Sequence, residues 1–242
     1  MRKMFLTLLM LLLLLPAACQ ESGEPTATPD LTSIGAVTIM ASDGLPMAAE
    51  FFPGRGTGPR PSLLFLHMNG SDRRSWDELS LQLSLDGYNA LVIDLRGHGE
   101  TGGDIDWEQA QDDVRRAYEY LLQRPEVDPS RTAIVGASIG ANLALVTAAA
   151  ERQVRAVVAL SPGLDYSGIE TEQAMSEIRG RPVLLVASTD DTYAADSAVA
   201  LDAAGSPTEL VTLTNAGHGT EMFSGAPDLL FFVAVWLSQM LS

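Results

Sequence analysis

Three side chains in this sequence have the types needed to transfer an acyl group. Ser138 stands in Gly136-Ala137-Ser138-Ile139-Gly140, between the apolar run Thr132–Val135 and an Ala/Leu-rich segment. The bare pattern G-x-S-x-G is common by chance; its place between a strand and a helix gives it weight. A tight strand-to-helix turn lifts the serine hydroxyl above a sheet, and glycines let such a turn close without a Cβ clash. The same turn puts the amide of Ile139 at a helix start, where it can donate to a developing oxyanion. A serine hydroxyl needs a base at neutral pH, and the chain offers only His67, His98 and His218. His218, in Thr214-Asn215-Ala216-Gly217-His218-Gly219 after the last expected strand, is the expected base.

The acid must orient the imidazole and stabilise its cation, so it belongs on a loop at the same end of the sheet as Ser138. Asp190 and Asp191 both follow the apolar run Val183–Ala187. Asp190 is favoured, because the third position past the last small residue of that run is where the related pattern G-x-x-D carries its acid. Asp165 is a third candidate, better suited to capping a turn. No H-x-x-x-H grouping occurs and the histidines lie in separate segments, so a metal hydrolase is not expected and no cofactor is called for.

The elements that must carry these groups follow from the pattern. Short β-branched or Leu-rich runs alternate with longer helical ones, which predicts an α/β fold with a mostly parallel sheet of eight strands, helices on both faces and no large lid. The expected strands are Val37–Ala41, Met47–Phe52, Leu63–His67, Ala90–Ile93, Thr132–Gly136, Ala156–Leu160, Val183–Ala187 and Glu209–Leu213. Ser42-Asp43-Gly44 between the first two predicts an antiparallel hairpin at a sheet edge. Expected helices are Ser75–Leu85, Trp107–Gln123, Ile139–Ala150, Ala194–Ala204 and Pro227–Met240. Only Ser161–Pro182 separates two strands near the site, room for one helix around Glu170–Ile178. Tyr166 in that segment is expected to be a half-buried surface aromatic, with substrate contact as its sharper alternative.

From about Val37 onward the chain resembles the α/β-hydrolases, close to the dienelactone-hydrolase and small serine esterase branch. Besides the serine motif, Leu66-His67-Met68-Asn69-Gly70 stands where relatives have an H-G or H-x-x-G loop, and Asp94-Leu95-Arg96-Gly97-His98-Gly99 matches their D-x-R-G-H-G. The order serine, acid, histidine is that of this fold. The resemblance implies a Ser138-Asp190-His218 triad, an oxyanion hole made by the backbone amides of Ile139 and Met68, and loop-shaping roles for His67 and His98. It implies hydrolysis of small acyl esters. Dienelactone hydrolases proper carry cysteine at the position of Ser138, and Met68 stands where a glycine is common, so the general esterase activity is the better expectation. A peptidase or thioesterase with the same triad, or a binding lipoprotein that kept the fold without the reaction, are the alternatives.

The 242 residues, 46% hydrophobic and 19% charged, suit one sizeable core rather than two. Part of the apolar content belongs to the start: Arg2 and Lys3 precede an almost unbroken apolar run from Phe5 to Leu15, the pattern of an export signal. Leu15-Pro16-Ala17-Ala18-Cys19 resembles the lipobox of bacterial lipoproteins, with Pro16 as its one departure. That resemblance implies a signal peptide over 1–18, a lipidated Cys19 and a flexible tether over 19–33 rich in Glu, Pro, Thr and Ser, ahead of a catalytic domain over 34–242. Cys19 is the sole cysteine, so no internal disulfide is possible. The expected location is the bacterial cell envelope, with the membrane partnered through lipid. The formal charge of −16, or −18 once Arg2 and Lys3 are removed, argues against nucleic acid as a partner.

Overall fold

The computed structural model describes residues 34–205 and 207–242. The expected signal, Cys19 and tether lie outside these residues. Ten strands and seven α-helices alternate along the described chain: β1 (Gly35–Met40), β2 (Pro46–Phe52), β3 (Arg60–Leu66), α1 (Asp77–Leu85), β4 (Asn89–Ile93), α2 (Trp107–Leu122), β5 (Val127–Ala137), α3 (Ile139–Ala150), β6 (Val154–Leu160), β7 (Asp165–Tyr166), β8 (Ile169–Glu170), α4 (Glu172–Ile178), β9 (Val183–Ser188), α5 (Thr192–Ala203), β10 (Thr208–Leu213), α6 (Met222–Gly225) and α7 (Asp228–Met240).

Eight strands form one sheet in the order β1-β2-β4-β3-β5-β6-β9-β10. From β4 to β10 every neighbouring pair is parallel. The two antiparallel pairings lie at one edge, where Gly44 with φ +88° turns β1 back on β2 and β2 pairs with β4. Alternation along each strand divides the core, since successive side chains point to opposite faces. Leu64, Leu66, Leu91 and Ile93 pack with α2, α3, α4 and α5 on one face. Leu63, Phe65, Ala90 and Val92 pack with α1 and α7 on the other. Strands covered on both faces read as continuous apolar runs, which is why the central ones were visible in the sequence.

The expected architecture holds. Its differences lie at element ends and in two additions, a short ribbon before α4 and the one-turn helix α6. The helix expected from Ser75 begins as a 3-10 turn over Arg73–Trp76 capped by Asp72, and is α-helical only from Asp77. β5 starts at Val127, five residues before the apolar run, because Arg60 pairs with Val127 across a register irregularity. Between β6 and β9 the expected helix is present as α4, preceded by a two-residue antiparallel ribbon of β7 and β8. α7 buries Leu229, Val233, Trp236 and Leu237 against the sheet, as expected for an apolar terminal helix, and no single helix among the described residues is long and apolar enough to cross a membrane.

Candidate active site

Ser138 occupies the turn between β5 and α3 with φ +55° and ψ −123°, a sparsely populated conformation that costs on the order of 1–3 kcal/mol. Three contacts hold it there. The Ser138 amide donates to the Leu160 carbonyl of β6 at 2.8 Å. A Cβ on Gly136 would lie 2.1 Å from the Gly140 carbonyl oxygen, and one on Gly140 would lie 2.4 Å from the Leu66 oxygen and 2.6 Å from that of His67. Both glycines of the motif are therefore fixed by close backbone approach. Ile139 is the first residue of α3, so its amide has no intrahelical acceptor.

His218 follows β10, and its Nδ1 lies 2.5 Å from Oδ2 of Asp191. A carboxylate facing Nδ1 selects the tautomer with the proton on that nitrogen, leaving the Nε2 lone pair to act as base. The other oxygen of Asp191 caps α5, accepting from the Ala194 amide at 3.3 Å. Helix start and imidazole thus fix one carboxylate from two sides. The next residue, Gly219, donates its amide to Ser161 Oγ at 2.9 Å, and a Cβ there would come within 3.4 Å of Ala137 Cβ, so the histidine loop rests on the serine turn.

The carboxylate that meets His218 is thus not the expected one. Asp190 does not meet His218: its carboxylate accepts from the Ser188 hydroxyl and, at 3.2 Å, from the Gly217 amide. The Ser188 hydrogen bond holds its pKa below the usual carboxylate value. The reason lies in the strand end. β9 continues through Ser188, which pairs with Leu213, so the third position past the strand is Asp191. The turn closed by the Asp191 amide on the Ser188 carbonyl then sends Asp190 to the backbone just before His218. Asp165, the third candidate, accepts from the Gly168 amide at 2.7 Å and serves the turn of the ribbon, as expected.

The other two histidines shape loops. Nδ1 of His67 donates to the Met68 carbonyl at 2.8 Å and Nε2 accepts from the Leu95 amide at 2.9 Å, which makes the ring neutral. Burial pushes its pKa down, in keeping with that state. His98 packs edge-on against it at 5.1 Å, with Nδ1 on the Arg96 carbonyl. The charged residues around them lock the loop after β4. Asp94, fully buried, accepts from the amides of Arg73 at 2.7 Å and Glu100 at 2.8 Å and from the Arg73 guanidinium. Arg96 grips Asp113 of α2 through two hydrogen bonds at 2.6 and 2.8 Å. The loop after β3 is thereby held so that the His67 carbonyl lies on the first turn of α3, with Met68 next in the chain and its sulfur beside Gly219.

One residue weighed only as a minor contact in the sequence stands at the centre. The Tyr166 hydroxyl lies beside the Ser138 side chain, and its ring lies edge-on to His218 at 6.4 Å. Nothing in its local sequence signals this; the ribbon of β7 and β8 turns it inward. Among the described residues no three His, Cys, Asp or Glu side chains stand together as a metal group.

A family model of the alpha/beta hydrolase fold matches residues 61–220. Among curated proteins, an uncharacterized protein of Mycobacterium tuberculosis is 33% identical over 138 residues, 57% of this chain and 49% of that protein. The chain thus spans about half the length of such relatives. Among solved structures, a dienelactone hydrolase from Anabaena variabilis superposes with a TM-score of 0.69 at 24% identity, covering 86% of this chain and 95% of that one. The Pyrococcus furiosus esterase Pf2001 gives 0.70 at 18% identity, covering 86% and 91%.

Proposed function

Because the chain belongs to the α/β-hydrolase fold family, we propose that it is a serine hydrolase that cleaves small acyl esters with Ser138, His218 and Asp191. The observation that carries this reading is the Asp191–His218 pair set against a serine held at positive φ on a strand-to-helix turn. In this reading His218 Nε2 takes the Ser138 proton as the hydroxyl attacks the acyl carbon. The amides of Ile139 and Met68 receive the oxyanion, and the protonated imidazole delivers its proton to the departing alcohol. Water then repeats the sequence on the acyl-enzyme and releases the acid. The test is a hydrolysis screen of the purified domain against ester, thioester and aminoacyl substrates. Turnover of simple esters supports the reading; turnover of amides or thioesters alone reassigns the substrate class.

The size of the acyl group follows from what covers the site. Between β6 and β9 stand only the short ribbon and the two turns of α4, leaving little apolar surface for a long chain. We expect p-nitrophenyl acetate or butyrate to be cleaved with higher kcat/KM than the palmitate ester, and no jump in rate when substrate forms micelles. A preference for palmitate with such a jump would make this a lipase.

We also propose that Cys19 carries a lipid anchor at the cell envelope, supported by the apolar run and small residues before it. Cys19→Ser should release the protein from the membrane fraction or block its maturation. A soluble wild-type protein without lipid by mass spectrometry excludes the anchor.

A further inference from the structure

Tyr166 lies beside Ser138 and edge-on to His218, the proposed reaction leaves it without a task, and its mounting is constrained. The ring packs over Gly163, where a Cβ would come within 2.7 Å of it, and against Tyr193 at 5.5 Å. The Tyr193 hydroxyl accepts from the Asp165 amide at 3.0 Å and donates to the Asp165 carbonyl at 2.8 Å, clamping the residue before Tyr166. On the other side Asn142 of α3, fully buried, accepts from the Gly163 amide at 3.0 Å and donates to the Ile169 carbonyl at 2.7 Å. Thr171 Oγ1 donates to the Gly163 carbonyl at 2.7 Å. A side chain held at this many points is positioned for contact, not for swinging aside.

The sheet order says which side of the serine it occupies. β3 and β6 flank β5 on opposite sides. The loop after β3 brings Met68, whereas the ribbon after β6 brings Tyr166, and His218 arrives from β10 further along the same side. The leaving group of an acyl transfer departs toward the base, because that imidazolium must protonate it.

Building on the serine-hydrolase reading, we infer that the Tyr166 hydroxyl is a hydrogen-bond donor to the leaving oxygen of the substrate. As the bond from Oγ to the acyl carbon forms and the bond from that carbon to the alkoxy oxygen breaks, the Tyr166 hydroxyl donates to the alkoxy oxygen. The Ser138 proton goes to His218 and from there to the alkoxide, which leaves as an alcohol; Tyr166 keeps its own proton throughout. Burial first, then the Asp191 charge, push the phenol well above its ordinary pKa, so it remains a donor at every working pH.

Tyr166→Phe in the full protein, assayed on acetate esters of graded alcohol acidity, tests this. A p-nitrophenolate departs with little help, so its kcat/KM should fall no more than about threefold. A simple alkyl acetate should lose on the order of a hundredfold, the scale of one preorganised donor removed. The fluorophosphonate labelling rate at Ser138, where the weakly basic fluoride departs with as little help as p-nitrophenolate, should change little and reports an intact fold. An equal loss on all esters, no loss, a gain, or loss of labelling overturns the inference while leaving the serine-hydrolase reading in place. Ester hydrolysis surviving in Ser138→Ala, or absent from the wild type, overturns that reading and the inference with it.

Discussion

Ser138→Ala is expected to remove all labelling by a fluorophosphonate probe and to lower ester turnover by about a million-fold, the loss found when a triad serine is deleted. The substitution is close to a pure chemical deletion. Alanine keeps the Cβ, so the turn faces the same positive-φ cost that serine carries, and the Ser138 amide still reaches the Leu160 carbonyl. Thermal stability should therefore stay near that of the wild type, which separates loss of chemistry from loss of fold. Near-normal activity in this variant would remove Ser138 from the nucleophile's role. Labelling without turnover of any ester, thioester or amide would instead favour a binding protein that retains an activated serine.

The second large effect divides two neighbouring carboxylates. In Asp191→Asn the amide still caps α5, since asparagine is among the preferred capping residues, so the helix start survives. Its NH2 group facing Nδ1 favours the tautomer with the proton on Nε2, which has no lone pair left to accept the serine proton. A loss of roughly ten-thousand-fold in kcat is the scale for a triad acid made into an amide. Asp190→Asn keeps an oxygen for the Gly217 amide and Ser188, and should cost less than about tenfold, the range of one charge-assisted hydrogen bond becoming neutral. Steady-state kinetics of the two variants side by side decide the matter: the reverse ranking would return the acid to Asp190.

That pair also shows where reading the sequence stops. Strand interiors were legible because doubly covered strands are apolar without interruption, and α3 because it starts directly at the serine turn. The proposed base was legible because His218 alone lies in chain order after the acids. A strand's last residue is another matter. Ser188 is polar and ends an apolar run, yet its pairing to Leu213 extends β9 by one position, and a single position exchanges the roles of Asp190 and Asp191. The ribbon of β7 and β8 was invisible for a different reason. Two-residue strands carry no periodicity, and what holds them is a buried asparagine on a helix more than twenty residues earlier. Likewise the D-x-R-G-H-G segment gave away its place but not its task, which is to bury Asp94 and Arg96 in ion pairs that shape two loops.

Asn142 deserves a practical reading as well. By holding Gly163 and Ile169 with one side chain, it turns the stretch between them into a cassette fastened at both ends to α3, the helix that follows Ser138. Whatever occupies positions 164–168 is presented to Ser138 in the same frame, so the lining of the proposed substrate site can be rewritten there without disturbing the sheet. The fastening itself is demanding: it requires a group that donates on one side and accepts on the other, which among side chains of that length only an amide supplies. A redesign of selectivity would therefore vary the cassette at positions other than Tyr166 and Gly168 and keep Asn142, Gly163 and Thr171 as its frame.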